Sequence, residues 1–476
     1  MNRIIKKVAV LGSGVMGSRI ACHFANIGVQ VMLLDIVPMQ LTDEEKKNPT
    51  LRNKLVNDSL QAAIKQNPSP VYAQKVIKQI TTGNFDDDLQ KIKDVDWIVE
   101  VVIENLEIKQ QLFEKVDALR KPGTLVTSNT SGIPIHQMII GRSDDFKQHF
   151  CGTHFFNPPR YLKLLEIIPT PLTDKNVVDF LMDYGDRFLG KTTVLCKDTP
   201  AFIANRIGVY SIMAVFNVME KLGLSIDEVD ALTGPISGRP KSATFRTADI
   251  VGIDTLVKVA KNTYADCPND ESRDMFIVPA YVEKLIENKW LGDKTGNGFF
   301  KKVKNAEGKS EIHVLNLKTF EYTPSAKAKF ATVDAAKQID DVKSRIQALH
   351  HGTDKAGDFY RNVTALVNKY VSFRIPEIAD ELYKIDDAVK AGFGWELGPF
   401  ETWDVLGVEK TAQMMEASGF APAAWVKEMT AAGNKSFYIT ENGKRKFYDV
   451  ATKSYKDIPG ADAFILLDNK KKKKPL

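Results

Sequence analysis

The chain has 476 residues, 43% hydrophobic and 26% charged, a balance that excludes a disordered or fibrous protein and implies about two to four folded domains. Its net charge of +5 is too slight to indicate nucleic acid and suits a polyanionic small ligand. No apolar stretch approaches the roughly 18 residues that would span a membrane, and Cys22, Cys151, Cys196 and Cys267 lie too far apart for a metal site and read as reduced, mostly buried thiols.

Met1 to Lys7 lead straight into the first predicted strand and leave no room for a signal peptide, so a cytoplasmic protein is expected. Val8 to Leu11 form a short apolar run of the kind a buried parallel strand shows. Gly12, Gly14 and Gly17 follow in the order Gly-x-Gly-x-x-Gly. Met16, Ile20, Phe24 and Ile27 then recur at helical spacing until Gly28, and Val29 to Leu34 form a second apolar run ending in Asp35. Each part has a physical task. Gly12 permits the tight turn, Gly14 lets a pyrophosphate approach the backbone, and Gly17 lets the helix pack on the strand. The helix N-terminus offers free N–H groups to phosphate. Asp35 is positioned to accept hydrogen bonds from a ribose 2′-hydroxyl and to repel a 2′-phosphate, which favours NAD over NADP. An FAD site or a ligand-free glycine-rich turn shares this fingerprint; strand, turn, helix, strand and acid in order favour NAD.

Beyond Asp35 the alternation is interrupted. Within 51–66, Val56, Leu60, Ala63 and Ile64 share one helical face; within 71–80, Val76, Ile77 and Ile80 share another, with Pro68 and Pro70 forcing a turn between them. This predicts a helical hairpin inserted at residues 45–80, with Ser59 and Lys65 on the flanks of its first helix. Strands are expected at Trp97–Ile103, Leu125–Thr127, Gly152–Phe156, Leu164–Ile168 and Thr192–Leu195, with helices over 107–119 and 174–189. The implied architecture is an α/β Rossmann-type, doubly wound, mostly parallel sheet over residues 1–196.

From Pro200 the pattern becomes helical, and a long helix is expected from Phe202 to Leu222. A first helical domain covers 197–300, residues 301–340 read as a linker with one hairpin around His313–Tyr322, and a second helical copy covers 341–430. The duplication rests on Phe245-Arg-Thr-Ala-Asp249-Ile-Val-Gly252 against Phe400-Glu-Thr-Trp-Asp404-Val-Leu-Gly407, preceded by Ile226-Asp227 and Ile385-Asp386. The final segment, 431–476, holds a hairpin turning at Asn442-Gly443 and a lysine tail, Lys470 to Lys474. Duplicated all-α domains are therefore expected after the sheet.

Four polar residues stand where this architecture can gather them: Ser131 after a strand, His154 on the next, Glu166 on the one after, and Asn205 in the first turn of the long helix. Oxidising an alcohol with NAD requires a base for the hydroxyl proton. Histidine titrates in the right range, a carboxylate fixes its tautomer, and hydroxyl and amide groups hold the substrate oxygen. The plainer alternatives are a core histidine, a turn serine and a helix-start asparagine bonded to its own backbone. Glu166, flanked by Leu164, Leu165, Ile167 and Ile168, calls for a charged or hydrogen-bonded partner.

The motifs GSGVMG (12–17), VEVVIEN (99–105), SNTSG (128–132), HFFNPP (154–159), LLEII (164–168), FIANRI (202–207) and DKTGNGFF (293–300) together resemble the L-3-hydroxyacyl-CoA dehydrogenase family of fatty-acid β-oxidation. The resemblance implies a catalytic pair at His154 and Glu166, substrate-orienting groups at Ser131 and Asn205, and NAD contacts from Gly12, Gly14, Gly17, Asp35, Glu104 and Lys109. It implies CoA contacts from the hairpin, at Ser59 and Lys65, and no metal. The duplicated helical domain is similar to that of the longer, multifunctional members. Short relatives dimerise through this domain, so a second copy implies a monomer that packs internally. Long relatives carry an enoyl-CoA hydratase domain, and the apolar run Phe464–Leu467 suggests a chain that stops short of a larger parent. One departure stands out: Gly234-Pro235-Ile236-Ser237-Gly238-Arg239-Pro240 falls well before Phe245, whereas the second copy has Gly398-Pro399-Phe400-Glu401. The expected reaction is NAD-dependent oxidation of L-3-hydroxyacyl-CoA. The rivals are a dehydrogenase of a non-CoA hydroxy acid and a non-catalytic NAD-binding scaffold, the latter opposed by retention of all four reactive residue types.

Overall fold

The computed structural model describes residues 3–305 and 307–460. The lysine run and Phe464–Leu467 lie outside the described residues. The chain forms two compact units, Met1–Phe202 and Ile203–Leu476.

The first unit is built on eight strands: β1 (Lys7–Leu11), β2 (Gln30–Asp35), β3 (Ile80–Asn84), β4 (Trp97–Glu100), β5 (Leu125–Ser128), β6 (Phe150–Phe155), β7 (Leu164–Pro169) and β8 (Thr192–Leu195), ordered β3-β2-β1-β4-β5-β6-β7-β8. All neighbours are parallel except β6 and β7. The stretch from Phe156 to Lys163 is too short for a crossover helix, so β7 turns back on β6. Val8, Val10, Val99, Leu125 and Ile167 are buried between flanking helices, as continuous apolar strands require. The Val15–Asn26 helix can start tightly because Gly12 adopts φ +106° and a Cβ at Gly17 would lie 1.9 Å from the Gly12 carbonyl oxygen.

Three expectations need correction here. The strand predicted over 97–103 ends at Glu100, because the Val102 N–H donates to the Glu100 carboxylate at 2.7 Å instead of extending the ladder. The second arm of the insertion is a 3-10 helix, Gln74–Gln79, not an α-helix. Ile80 leaves that arm and opens β3, an edge strand whose largely polar sequence, Ile-Thr-Thr-Gly-Asn, does not mark it as one.

The second unit contains two copies of one arrangement. The first copy runs through helices Ala204–Leu222, Ile226–Thr233, Phe245–Val251, Ile253–Asp266 and Ala280–Glu287 into strands β9 (Phe300–Lys304), β10 (Ser310–Leu315) and β11 (Tyr322–Pro324). The second follows the Val342–His351 helix and runs through Lys355–Phe373, Leu382–Phe393, Pro399–Leu406, Val408–Ala417 and Ala424–Ala431 into β12 (Tyr438–Glu441), β13 (Lys444–Asp449) and β14 (Ser454–Asp457). Residues 301–340 are therefore no linker: they hold the three-stranded antiparallel sheet that closes the first copy, as β12–β14 close the second.

The same polar keys recur in both copies. Asp249 accepts the Phe299 and Phe300 N–H groups at 2.9 and 2.8 Å; Asp404 accepts those of Phe437 and Tyr438 at 2.6 and 2.9 Å. Tyr322 donates to the Gly298 carbonyl, and Tyr455 to that of Ser436. Asp386 accepts from Phe400 and Glu401, and its counterpart is Asp230, which accepts from Thr244, Phe245 and Arg246. The pairing of Asp227 with Asp386 is thus displaced by one helical turn; Asp227 instead holds Ser325 and Ala326. The copies pack tightly: the Phe393 ring occupies the space a Cβ at Gly208 would need, and Tyr210 stacks on Tyr370 with centroids 3.6 Å apart. Among the described residues no helix is long and apolar enough to cross a membrane.

Candidate active site

His154 and Glu166 are direct partners in the β6–β7 register, so both side chains leave the same face of the sheet. The antiparallel turn brings together residues twelve positions apart in sequence. His154 Nδ1 lies 2.7 Å from Glu166 Oε2, and Glu166 has no exposed surface. With the carboxylate as acceptor, Nδ1 carries the ring hydrogen and Nε2 is left with its lone pair. That nitrogen is 3.2 Å from Ser131 Oγ. The rings of Phe156 and Phe202 lie 4.7 and 5.6 Å from the imidazole and wall it on apolar sides.

Ser131 is held by a second layer of charge. Glu104 Oε1 accepts the N–H groups of Ser131 and Gly132 at 2.9 and 3.0 Å and the Thr130 hydroxyl at 2.5 Å. Burial opposes its charge, but the Lys109 ammonium and these hydrogen bonds outweigh it and keep the carboxyl below its usual range. Lys109 is itself buried, 2.7 Å from Glu100 and 3.5 Å from Glu104. Glu100 accepts from Ser128 and Val102 as well; burial still pushes its carboxyl upward against the pull of Lys109. Asn129 completes the loop, its Oδ1 accepting the Phe155 N–H at 2.8 Å.

The glycine loop forms a second group. A Cβ at Gly14 would meet nothing within 4 Å, so this residue faces open space at the start of the Val15–Asn26 helix. Asp35 Oδ2 accepts the Ser13 N–H at 2.6 Å and the Ser13 hydroxyl at 2.5 Å, tying the end of β2 to the loop. The open backbone, the helix start and an acid at the strand end are what a dinucleotide requires.

Ser131, His154 and Glu166 are therefore in hydrogen-bonding contact, with Glu104 and Lys109 behind them. Gly12, Gly14, Gly17 and Asp35 cluster at the first turn. Ser59 is half-buried on the Lys54–Ile64 helix and Lys65 exposed at its end; among the described residues neither side chain makes a hydrogen bond. Asn205 belongs to the second unit, in the first turn of Ala204–Leu222. The equally long second-copy helix, Lys355–Phe373, opens Lys355-Ala356-Gly357-Asp358, with no asparagine in its first turn. Ser13, Glu100 and Thr130 were not singled out from sequence: they hold other residues in place, and such roles leave no mark on residue type.

Residues 7–199 match the family described as 3-hydroxyacyl-CoA dehydrogenase, NAD binding domain, and residues 202–302 match its C-terminal domain. A probable 3-hydroxyacyl-CoA dehydrogenase of Bacillus subtilis is 48% identical over 455 residues, covering 94% of this chain and 57% of that protein. One of the same description from Deinococcus radiodurans is 46% identical over 305 residues, covering 64% of this chain and 85% of that protein. A putative fatty acid oxidation complex trifunctional enzyme of Rickettsia felis is 34% identical, and the chain spans 53% of its length. The structure of 3-hydroxybutyryl-CoA dehydrogenase from Escherichia coli K12 shares the fold, with a TM-score of 0.63 over 90% of this chain and 99% of that one at 21% identity.

Proposed function

The chain belongs to the 3-hydroxyacyl-CoA dehydrogenase family, with an NAD binding domain over residues 7–199, and from that premise we propose that it oxidises L-3-hydroxyacyl-CoA to 3-ketoacyl-CoA in fatty-acid β-oxidation. The observation that carries this reading is the relay from Ser131 Oγ to His154 Nε2 and from His154 Nδ1 to Glu166.

NAD, which Gly12, Gly14, Gly17 and Asp35 would hold, would supply the acceptor for the hydride of the carbinol carbon. The chain's own residues manage the proton. His154 Nε2 receives it from the substrate hydroxyl, and the imidazolium so formed is stabilised by Glu166 on its far side. Ser131 Oγ, which donates to Nε2 before substrate arrives, turns to hold the substrate oxygen. Asn205 is the second group assigned to that oxygen, and Ser59 and Lys65 are assigned to the CoA. The Phe156 and Phe202 rings limit water around the imidazole, which strengthens each charge interaction as the proton moves.

The test is loss of the NADH absorbance band on adding acetoacetyl-CoA, with free acetoacetate as comparison. Loss with the thioester alone supports the reading. Equal rates with both would move the activity to non-CoA hydroxy acids. No loss despite tight NADH binding would make the chain a scaffold.

A further inference from the structure

The segment Gly234–Pro240, which departs from the second copy's pattern, is held by that second copy. Arg345 Nε donates to the Ile236 carbonyl at 2.8 Å, and the Glu396 N–H donates to that of Gly238 at 2.8 Å. With a further bond from Arg345 to the Pro235 carbonyl, these fix the segment as one wall of a partly open cavity of about 70 Å³, lined otherwise by Thr233, the Val342–His351 and Lys355–Phe373 helices and the stretch from Trp395 to Thr402. Ile346, Leu349, Phe359 and Val363 make most of that surface apolar.

Among the described residues, two polar side chains on this cavity lack a protein partner for their donors. The Arg239 guanidinium stacks 4.1 Å over the Trp395 ring, and among the described residues it forms no hydrogen bond or ion pair. Asn368, 1% exposed, lines the same cavity with its Nδ2 unpartnered. Tyr360 donates to the Leu232 carbonyl, and His350 bonds Ile346 and Thr364. Desolvation holds His350 down to about 4, so it adds no second cation at neutral pH. Burial lowers Arg239 to about 10, which leaves it charged. Arg239 is a half-buried cation without a counter-charge and Asn368 carries an unbonded buried amide; one anionic acceptor would pair with both.

We propose that this cavity, between the Gly234–Pro240 segment and the second helical copy, is a binding site for a short-chain monocarboxylate, whose carboxylate sits between Arg239 and Asn368 and whose alkyl chain lies on the apolar wall. The planar guanidinium matches a carboxylate in two-pronged fashion, and the Asn368 N–H₂ supplies a further donor. The volume of about 70 Å³ is roughly half that of a cavity that takes up benzene, so the enclosed part holds the carboxylate and its first carbons, and the open side accommodates the rest of a chain such as butyrate's. The site lies within the second unit and does not depend on the reaction assigned to the first.

The full chain should be titrated with acetate, butyrate, hexanoate and the uncharged butyramide, followed by calorimetry and by tryptophan fluorescence, for which Trp395 is the local reporter. Saturable butyrate binding is expected, with butyramide inert. Arg239→Gln and Asn368→Leu should each weaken binding by about tenfold or more, the scale of a lost hydrogen bond to a charged group. Trp395→Phe should remove the fluorescence change. Saturating NADH with acetoacetyl-CoA should not displace butyrate, nor should His154→Gln alter its affinity. No saturable signal with any of the carboxylates, unchanged affinity in Arg239→Gln, or displacement by acetoacetyl-CoA would each overturn the proposal. The displacement experiment uses the unaltered chain and so stands even where a variant fails to fold.

Discussion

His154 owes its assignment as a base to what its two ring nitrogens face: a buried carboxylate on one side and a serine hydroxyl on the other. His154→Gln keeps the size and removes the base, so turnover should fall by about 10²–10⁴-fold with NADH affinity little changed. Glu166→Gln should also slow turnover by leaving the imidazolium without its counter-charge, and the double variant should be little worse than His154→Gln alone if the pair acts as a unit. Steady-state rates of the three variants decide this; fully multiplicative losses would mean independent roles. Asp35 carries a second expectation. Because its carboxylate also holds the Ser13 N–H and hydroxyl, Asp35→Ala should narrow the preference for NAD over NADP and weaken NAD itself by loosening the loop. Comparing kcat/KM for both cofactors in Asp35→Ala and Ser13→Ala separates the two effects, since Ser13→Ala should leave the preference intact. At this scale, groups of the type that would meet ligand could be read from sequence, because alcohol oxidation calls for particular residue types. Glu100 and Thr130 could not, since a carboxylate that holds a lysine and a hydroxyl that holds a loop look like any others until the chain is folded.

At the scale of elements, the repeated Phe-x-Thr-x-Asp-x-x-Gly pattern was visible because the same aspartate performs the same task twice. Asp249 and Asp404 each use both carboxylate oxygens to hold two N–H groups where the closing sheet begins. Asparagine keeps one acceptor and turns an N–H₂ group toward the other N–H. Asp249→Asn should therefore cost about 1–3 kcal/mol, and Asp249→Ala, which leaves both N–H groups unbonded, about twice that. Denaturant unfolding of the two variants checks the order. An Asp249→Asn variant as stable as the parent would show that one acceptor is enough. The closing sheet of the first copy has no sequence signature, because Phe300-Lys-Lys-Val-Lys has little apolar alternation, its inward residues being covered on one face only. The mispairing of Asp227 has an equally local cause: Ile226-Asp227 and Val229-Asp230 are both apolar–acid pairs on one helix, and only the backbone groups they reach tell them apart.

For the whole molecule, the change of pattern at Pro200 marked the boundary between units to within a few residues, since buried strands cease there. How the two helical copies join could not be read, because the contacts fall between residues far apart in sequence. Arg206 and Arg374 share Asp270 at 2.7 and 3.0 Å, and Tyr210 stacks on Tyr370. Ending the chain after residue 330 keeps β9–β11 whole and removes Tyr370, Glu377 and Phe393, which meet Tyr210, Arg206 and Gly208. The shortened chain should dimerise or aggregate where the full chain is monomeric, as light scattering would show. A stable dimer of the full chain with a clean monomer of the short one would contradict it.

Acid should also act differently on the two units. His23 in the first unit and His350 in the second are each lowered to about 4 by burial, from an ordinary value of 6.5. Between these values the unfolded chain binds a proton that the folded chain refuses, so this contribution is whole above 6.5 and is lost as pH falls toward 4. Buried carboxylates work in the opposite sense. Burial raises Asp230 and Asp404 to about 7 and Asp249 to about 6, all in the second unit, from an ordinary 3.8. The folded form there holds protons that the unfolded form releases, so stability from these groups is present below 3.8 and is lost as pH rises through 6 to 7. Asp386, also in the second unit, is pushed well above the usual carboxylate range by burial, and Glu100 in the first is pushed up as well. Burial raises Asp387 too, so among the described residues the second unit sets five raised carboxylates against one lowered histidine, and the first sets one against one. On going from pH 7 to 5, the melting temperature of the second unit should rise relative to that of the first. Scanning calorimetry at both values, with NADH added to identify the first unit by its upward shift, gives the two transitions. His23→Gln, which keeps a donor for the Leu189 carbonyl without titrating, should remove the acid sensitivity that His23 confers on the first unit. Two transitions that move together with pH, or a first-unit transition that His23→Gln leaves equally acid-sensitive, would show that these buried groups do not set the response.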